Sequence, residues 1–340
     1  MNYLRRERDL KRAIVLRVLL ITLCLGLVGG TAMAQETKET KVVMFKDGTS
    51  VTGQIVEMNI NTVKIQTADG SIVVRKFDDV EAINDPQDFI KKAGLYLPIH
   101  SFDIGAEVFW HNYEEREISV KESGMMYGAS LAYTYHKNIM ARLSVLLAAG
   151  EVDYQNSGRL DDIPDRMLEV RGLVGYDIYV TPNSIITPYI GLGYRYLNDD
   201  SSGMTSVIGA RGYERESNYI YSPIGVELTG LIEGGWTIGL SAEVDFLWYG
   251  KQKTHISDWD PTYADFENDQ DVGYGLRGSL KIQKRFDHCS LLVEPFVRYW
   301  NIKESDLEPQ IRNGAVVPGV WWVEPKNITS EFGCKLGVQF

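Results

Sequence analysis

The sequence has few of the features that point to nucleic-acid binding or to the common enzyme classes. Its 340 residues include three cysteines, five histidines and 35 basic residues against 46 acidic ones, a net charge of −11. An acidic chain is poorly suited to wrapping phosphate backbones, so no nucleic-acid partner is expected. The sequence contains no HExxH, paired CxxC, P-loop or GxSxG motif, so the standard motifs of hydrolases and of metal sites are absent. The sequence has few prolines (11), many glycines (32) and more Tyr than Phe, a composition that favours strands over long helices.

The first 34 residues have the pattern of a secretory signal. Six basic residues precede the apolar run VLLITLCLGLVGG, and Ala32 and Ala34 form a small-x-small cleavage site before Gln35. The apolar run is short for a membrane span, so a cleaved leader is predicted rather than an anchor. Removing this segment of charge +4 leaves the rest of the chain at −15, with Cys289 and Cys334 as its cysteines.

A small β-module is predicted at residues 38–86, followed by a linker at 87–101. Asp47-Gly48 and Asp69-Gly70 are turn dipeptides, and they separate short alternating segments at 42–45, 51–57, 62–67 and 71–76. With its DGTSVTGQI strand pair, this segment resembles the Sm-like small β-barrels. RNA binding is not carried over from that resemblance because the segment is acidic and exported. A spacer or docking module in the periplasm, with a periplasmic partner, is expected instead.

Ten amphipathic segments follow from Phe102 to the C-terminus, each long enough for a tilted membrane strand. The predicted strands span 102–111, 125–135, 140–154, 168–180, 185–197, 218–229, 236–250, 272–285, 289–301 and 331–340. Their connections alternate between short turns, such as HKN, and long polar stretches, such as THISDWDPTYADFENDQD. This alternation is typical of membrane barrels, whereas a Greek-key sandwich has no reason to keep it.

The two faces of each predicted strand and the end of the chain support the same architecture. In LEVRGLVGYDIYV, apolar and polar residues alternate, as expected for one face toward lipid and the other toward the barrel interior. The chain ends with Phe332, Leu336, Val338 and Phe340 at period two. This ending resembles the C-terminal assembly signal of Gram-negative outer-membrane β-barrel proteins. The fold class predicted for 102–340 is therefore an all-β, ten-stranded antiparallel transmembrane barrel, with lipid, lipopolysaccharide and the barrel-assembly machinery as partners.

Inward-facing positions carry a nearly balanced set of charges. The predicted lumen network comprises Asp103, Glu107, Arg142, Glu169, Arg171, Asp177, Arg195, Glu227, Glu243, Asp245, Arg277, Lys281, Glu294, Arg298 and Lys335. Buried charges must be paired or hydrated, so interlocking salt bridges across a narrow lumen are expected. The alternatives are a polar plug and a channel for small solutes. The cysteines lie at different heights on the last two strands and should stay unpaired.

The sequence favours a non-enzymatic surface structural, adhesive or narrow-pore protein that needs no cofactor. The acidic loops could bind Ca²⁺ or the divalent ions that bridge lipopolysaccharide, although most acidic loops are only solvated. The alternative function is that of an omptin-like surface hydrolase, because the ten-strand layout and TPYIGLGYRYLND are similar to that family. That resemblance implies Asp258 and Asp260 as an acidic pair and His255 or His111 as the general base. The Asp-x-His spacing of omptins is missing.

Overall fold

The computed structural model describes residues 39–86, 97–181 and 183–340. The predicted leader, with Ala32 and Ala34, and most of the predicted linker lie outside the described residues. Contacts divide the chain into two units, residues 1–84 and 85–340. No helix within the described ranges has the length and apolar character needed to cross a membrane.

The first unit is a five-stranded antiparallel sheet. Its strands are β1 (Thr40–Phe45), β2 (Ser50–Met58), β3 (Thr62–Gln66), β4 (Ile72–Lys76) and β5 (Val80–Asn84), in the order β4-β3-β2-β1-β5. Val43, Phe45, Val63 and Ile65 form its buried core. Asp47 and Asp69 accept backbone hydrogen bonds two residues onward, beside glycines with positive φ, so both predicted turn dipeptides do form turns.

The second unit contains the strands of a barrel and the short strands of its loops. The barrel strands are β6 (His100–Glu115), β7 (Val120–Lys137), β8 (Ile139–Asn156), β9 (Gly158–Tyr176), β10 (Ile178–Thr181), β11 (Ser184–Asp200), β12 (Glu214–Ile232), β13 (Trp236–Thr254), β15 (Gly273–Arg285), β16 (Ser290–Ile302) and β19 (Asn327–Gln339). The loop strands are β14 (Phe266–Asp269), β17 (Glu308–Arg312) and β18 (Ala315–Trp322).

The sheet closes on itself. β9 and β10 pair with successive parts of β11 and together act as one strand of the barrel. The eleven barrel elements therefore form ten antiparallel strands around the barrel. The last strand pairs with the first, from Gln339 opposite Asp103 to Ile328 opposite Glu114. Phe102 and Phe340 also exchange two backbone hydrogen bonds of 3.0 Å. A closed sheet leaves no unpaired edge, and the predicted ten-stranded antiparallel barrel is confirmed.

Side chains alternate between the two surfaces of the barrel wall as the period of two requires. On β6, Phe102, Ile104 and Val108 are exposed on the outer surface, whereas Asp103 and Glu107 are buried inside. Phe332, Leu336 and Phe340 of the proposed assembly signal are likewise exposed on the outside. Cys289 and Cys334 are free thiols, as expected.

The strands are longer than predicted at the end of the barrel that carries the long loops. The segment predicted as a long loop after His111 is mostly strand, because β6 reaches Glu115 and β7 starts at Val120. Only Ser157 separates β8 from β9, where another long loop was predicted. The polar composition of these segments wrongly predicted loops. Polar residues can continue the backbone hydrogen bonds between strands wherever the outer face of the sheet is not against lipid. The long connections observed are 201–213, 255–272 and 303–326.

Candidate functional site: the barrel interior and its loop end

Most of the predicted lumen residues surround one cavity. Its volume is about 190 Å³, and the predicted residues on its wall are Asp103, Glu107, Arg142, Glu169, Arg171, Glu227, Glu243, Arg277, Lys281, Glu294, Arg298 and Lys335. The other three are buried elsewhere within the barrel. Asp177 contacts His136 and Thr187 near the short turns, while Arg195 pairs with Glu331 and Asp245 pairs with Arg277.

Ion pairs on the cavity wall join side chains from strands that are distant in sequence. Pairs between cavity residues include Arg142–Glu227, Arg171–Glu243, Arg277–Glu169, Arg277–Glu243 and Arg298–Glu107. Arg142 Nη1 lies 3.0 Å from Glu227 Oε2, and Arg298 Nη2 lies 2.6 Å from Glu107 Oε2. Apart from Arg277–Glu243, each pair links strands that are not neighbours in the closed sheet, and the charge-assisted contacts hold the long side chains in place.

Arg277 contacts three carboxylates, those of Glu169, Glu243 and Asp245. Its Nη1 donates to Glu169 Oε2 at 2.8 Å, and its Nε donates to Asp245 Oδ2 at 2.7 Å. Its Nη2 also donates to the Tyr221 hydroxyl at 3.1 Å, and that hydroxyl donates to Glu169. A guanidinium with several acceptors in one plane fixes its neighbours far more firmly than a lysine would.

Four charged residues on the cavity wall are outside these pairs. Among the described residues, Lys281, Lys335, Glu294 and Asp103 form no salt bridge within 4.0 Å; Glu294 accepts a hydrogen bond from Ser279, and Asp103 accepts one from Gln339. They border open space, where water can hydrate them.

Glu331 is an interior residue that the predicted network omitted. Its Oε1 accepts from Arg195 Nη2 at 2.5 Å and lies 3.3 Å from His111 Nδ1, and its Oε2 lies 3.4 Å from Arg298 Nη1. Glu331 and Arg195 are only 2% and 1% exposed. Its position, four residues before the predicted Lys335 on the same strand, gives it the inward parity that could have identified it.

The interior is not polar throughout, which corrects the expectation that apolar side chains face only lipid. Phe109, Met126, Leu146, Met167 and Phe296 are buried together inside the barrel. The Arg298 guanidinium lies 4.0 Å from the Phe296 ring centroid, so the charged and apolar layers are in direct contact. A barrel of this width fills its interior with side chains, and the packed layer includes apolar ones.

A second charged cluster lies nearer the long loops and was missed because its residues were assigned to loops. Arg215 contacts four carboxylates, at 2.9 Å from Glu122, 3.1 Å from Glu115 and Asp199, and 3.8 Å from Glu324. These residues line a further cavity of about 280 Å³. Extending the period-two pattern past His111 would have placed Glu115 inside.

The residues suggested by the omptin resemblance do not assemble as expected. His111 is 4% exposed, deep in the barrel, where it contacts Glu331 rather than a loop carboxylate. Asp260 contacts Arg312 and Thr262, and Asp258 accepts the backbone N–H of Glu214. Among the described residues, neither the Asp258 nor the Asp260 carboxylate forms a salt bridge with His111 or His255.

His255 instead lies between other carboxylates at the loop end of the barrel. Its Nε2 is 2.8 Å from Glu216 Oε1 and 4.0 Å from Glu214 Oε2, and its Nδ1 is 3.3 Å from Asp265 Oδ2. Partial burial alone would lower the pKa of His255, but the hydrogen bond to Glu216 and the charges of Glu214 and Asp265 outweigh it and raise that pKa.

Comparison with known proteins agrees with this architecture. The family model described as the autotransporter β-domain matches residues 99–266, just under half of the chain. The outer membrane protease OmpT from Escherichia coli has a similar structure, with a TM-score of 0.50 and 9% identity over 72% of this chain and 97% of that one. The chain has the closed β-barrel fold that is found in outer-membrane proteins. The translocator domain of the autotransporter NalP from Neisseria meningitidis gives a TM-score of 0.39 and 10% identity over 75% and 92% of the chains. No curated protein matches the sequence significantly.

The two cavities of the barrel are separated along its strands. On β6, Glu107 lines the 190 Å³ cavity and Glu115 lines the 280 Å³ cavity, while the buried Phe109 and His111 lie between them. On β9, Met167 and Asp165 likewise separate Glu169 from Ile163. The middle of the barrel is therefore a packed layer with open space on either side.

Proposed function

We propose that this protein is a non-enzymatic surface protein of the outer membrane, with a sealed lumen and structural or adhesive long loops. The observation that carries the proposal is the packed middle layer. Phe109, Met126 and Tyr221 there have no exposed surface, and Arg195 is held against Glu331. A narrow pore, the alternative considered from the sequence, would need several of these buried side chains to move together.

Apolar residues on the long loops support an adhesive role. Val316, Val320 and Trp321 on the β17–β18 hairpin are 58%, 42% and 55% exposed. The hairpin is anchored, because Trp322 stacks on Phe266 with ring centroids 5.1 Å apart. Exposed apolar groups on an anchored hairpin are suited to contact with another surface.

A cell-adhesion experiment tests this role. Cells that express the intact chain should adhere to a hydrocarbon-coated surface, and replacing Val316, Val320 and Trp321 with serine should reduce adhesion several-fold. The matched control changes Val207 and Ile208, exposed in the 201–213 loop, to serine. Surface amounts must be equal by antibody labelling. Adhesion no greater than that of cells lacking the protein would refute the adhesive role.

The second candidate function is an omptin-like surface hydrolase, and the pairing of His255 with Asp265 is the observation that favours it. A carboxylate that orients an imidazole can support general-base chemistry. His255→Ala should then abolish hydrolysis by a purified, active preparation, and Asp258→Ala should leave it intact because Asp258 contacts the Glu214 backbone instead. Unchanged hydrolysis in the His255 variant would exclude this chemistry.

We further propose that the leader is cleaved after Ala34 and that residues 38–86 form a periplasmic docking module. The separate core of Val43, Phe45, Val63 and Ile65 supports independent folding. Deleting the module should leave a barrel that the assembly machinery still inserts, with loss of the periplasmic partner. A barrel that no longer assembles would contradict this division.

A further inference from the structure

A rigid part of the sheet brings together three potential metal ligands at the loop end of the barrel. Glu214 and Glu216 are two residues apart at the start of β12, so their side chains share one face of the strand. His255 directly follows β13, and its backbone N–H donates to the Glu214 carbonyl at 3.0 Å. The hairpin register therefore sets the relative positions of all three residues.

The ligand atoms already converge. One atom from each of Glu214, Glu216 and His255 lies within 4.8 Å of the others, and all three residues are half-buried. His255 Nε2 is 2.8 Å from Glu216 Oε1 and 4.0 Å from Glu214 Oε2. Small movements would bring all three to bonding distance of one ion.

The groups around these atoms hold each ligand in a defined orientation. Asn198, which is 5% exposed, donates to Glu214 Oε1 at 2.8 Å, and the Tyr196 hydroxyl donates to Glu216 Oε2 at 3.0 Å. Each carboxylate is thus held through one oxygen by a neutral donor from β11, with its other oxygen turned toward His255.

Asp265 completes this outer layer. With the imidazole hydrogen on Nδ1 and donated to Asp265, the Nε2 lone pair is available to a metal ion. Lys253 Nζ lies 3.5 Å from Glu216 Oε1, and the Lys253 side chain is 37% exposed to solvent. The carboxylates of Glu214, Glu216, Asp265 and Asp258 outnumber it.

We propose that Glu214 Oε2, Glu216 Oε1 and His255 Nε2 bind one divalent transition-metal ion, of which Zn²⁺ fits best. Zn²⁺ accepts a mixed set of imidazole nitrogen and carboxylate oxygens, and three protein ligands leave one position for water. Ca²⁺ prefers six to eight oxygen ligands, which this set does not provide. The ion would tie the ends of β12 and β13 together beneath the long loops, independently of whether the lumen is sealed.

Calorimetric titration of the folded, full mature chain in detergent with ZnCl₂ tests the site. The proposal predicts one ion per chain, with affinity reduced at least tenfold in His255→Ala and in the near-isosteric Glu216→Gln. Asn198→Ala should weaken binding about 10- to 100-fold through loss of the orienting hydrogen bond. His288→Ala is the matched control, because His288 is exposed in the turn between β15 and β16; it should bind Zn²⁺ like the parent chain.

Circular dichroism must show that each variant is folded. Zn²⁺ binding that is equal in the parent and in both ligand variants, or no binding by the parent, would overturn the proposal. Ca²⁺ binding at this cluster that persists without His255, with no preference for Zn²⁺, would also overturn it.

Discussion

Replacing Glu331 with glutamine should destabilise the barrel severely, because it leaves a buried guanidinium without a carboxylate. Arg195 is 1% exposed, and Glu331 is its one salt-bridge partner among the described residues. Arg298, which also contacts Glu331, keeps Glu107 at 2.6 Å. The change therefore isolates one buried charge rather than two. Removing one partner of a buried pair costs about 3–5 kcal/mol, or about two to three and a half powers of ten in the folding equilibrium.

The control for this change is Glu294→Gln, also an inward glutamate on a neighbouring strand. Glu294 lines the cavity and accepts one hydrogen bond, from Ser279 at 2.6 Å. Losing one hydrogen bond costs about 0.5–1.5 kcal/mol. Urea unfolding of both variants in lipid vesicles, followed by tryptophan fluorescence, gives the two free energies. If Glu331→Gln is no more destabilising than Glu294→Gln, the argument that the Arg195 pair is essential is refuted.

Three further predictions concern local packing and the thiols. Gly193→Ala should destabilise the barrel strongly, because its Cβ would lie 2.2 Å from the Tyr221 ring, while Gly172→Ala, with nothing within 4 Å, should be neutral in the same urea assay. Arg215→Ala should make the long loops more sensitive to protease by leaving four carboxylates without their shared cation, whereas Arg159→Ala, at an exposed pair, should not. In a protein of residues 35–340, Cys289 and Cys334 should both react with maleimide after unfolding without reductant; labelling of neither would reveal a disulfide.

Period-two alternation predicted the barrel well because strand geometry imposes it directly. Asp103 and Glu107 were assigned to the interior from parity alone, and both are buried there. The same rule can be applied only to residues that have been assigned to a strand. Glu115 and Arg215 were missed because their polar surroundings resembled a loop, although their strands continue beyond the region where apolar residues alternate.

Contacts between distant strands could not be predicted from the sequence. Arg195 and Glu331 are 136 residues apart, and their pairing depends on which strands face each other across the closed barrel. The apolar middle layer is similarly a property of the assembled interior. Phe109 on β6 and Phe296 on β16 lie on either side of β19, with ring centroids 6.1 Å apart, and they meet only once the last strand pairs with the first. His255 was identified as a candidate, but its partners Glu216 and Asp265 depend on hairpin register and loop folding.

Single-channel conductance tests the central claim, that the lumen is sealed across its middle. Residues 35–340, refolded and inserted into a planar bilayer, should produce no conductance steps. The Phe109→Ala/Phe296→Ala variant, which removes two aromatic side chains from the packed layer, should produce them and so prove that insertion occurs. Stable, stepwise conductance from the unaltered chain, with an ion selectivity that shifts in an Arg298 or Glu294 variant, would contradict a sealed lumen and establish a pore.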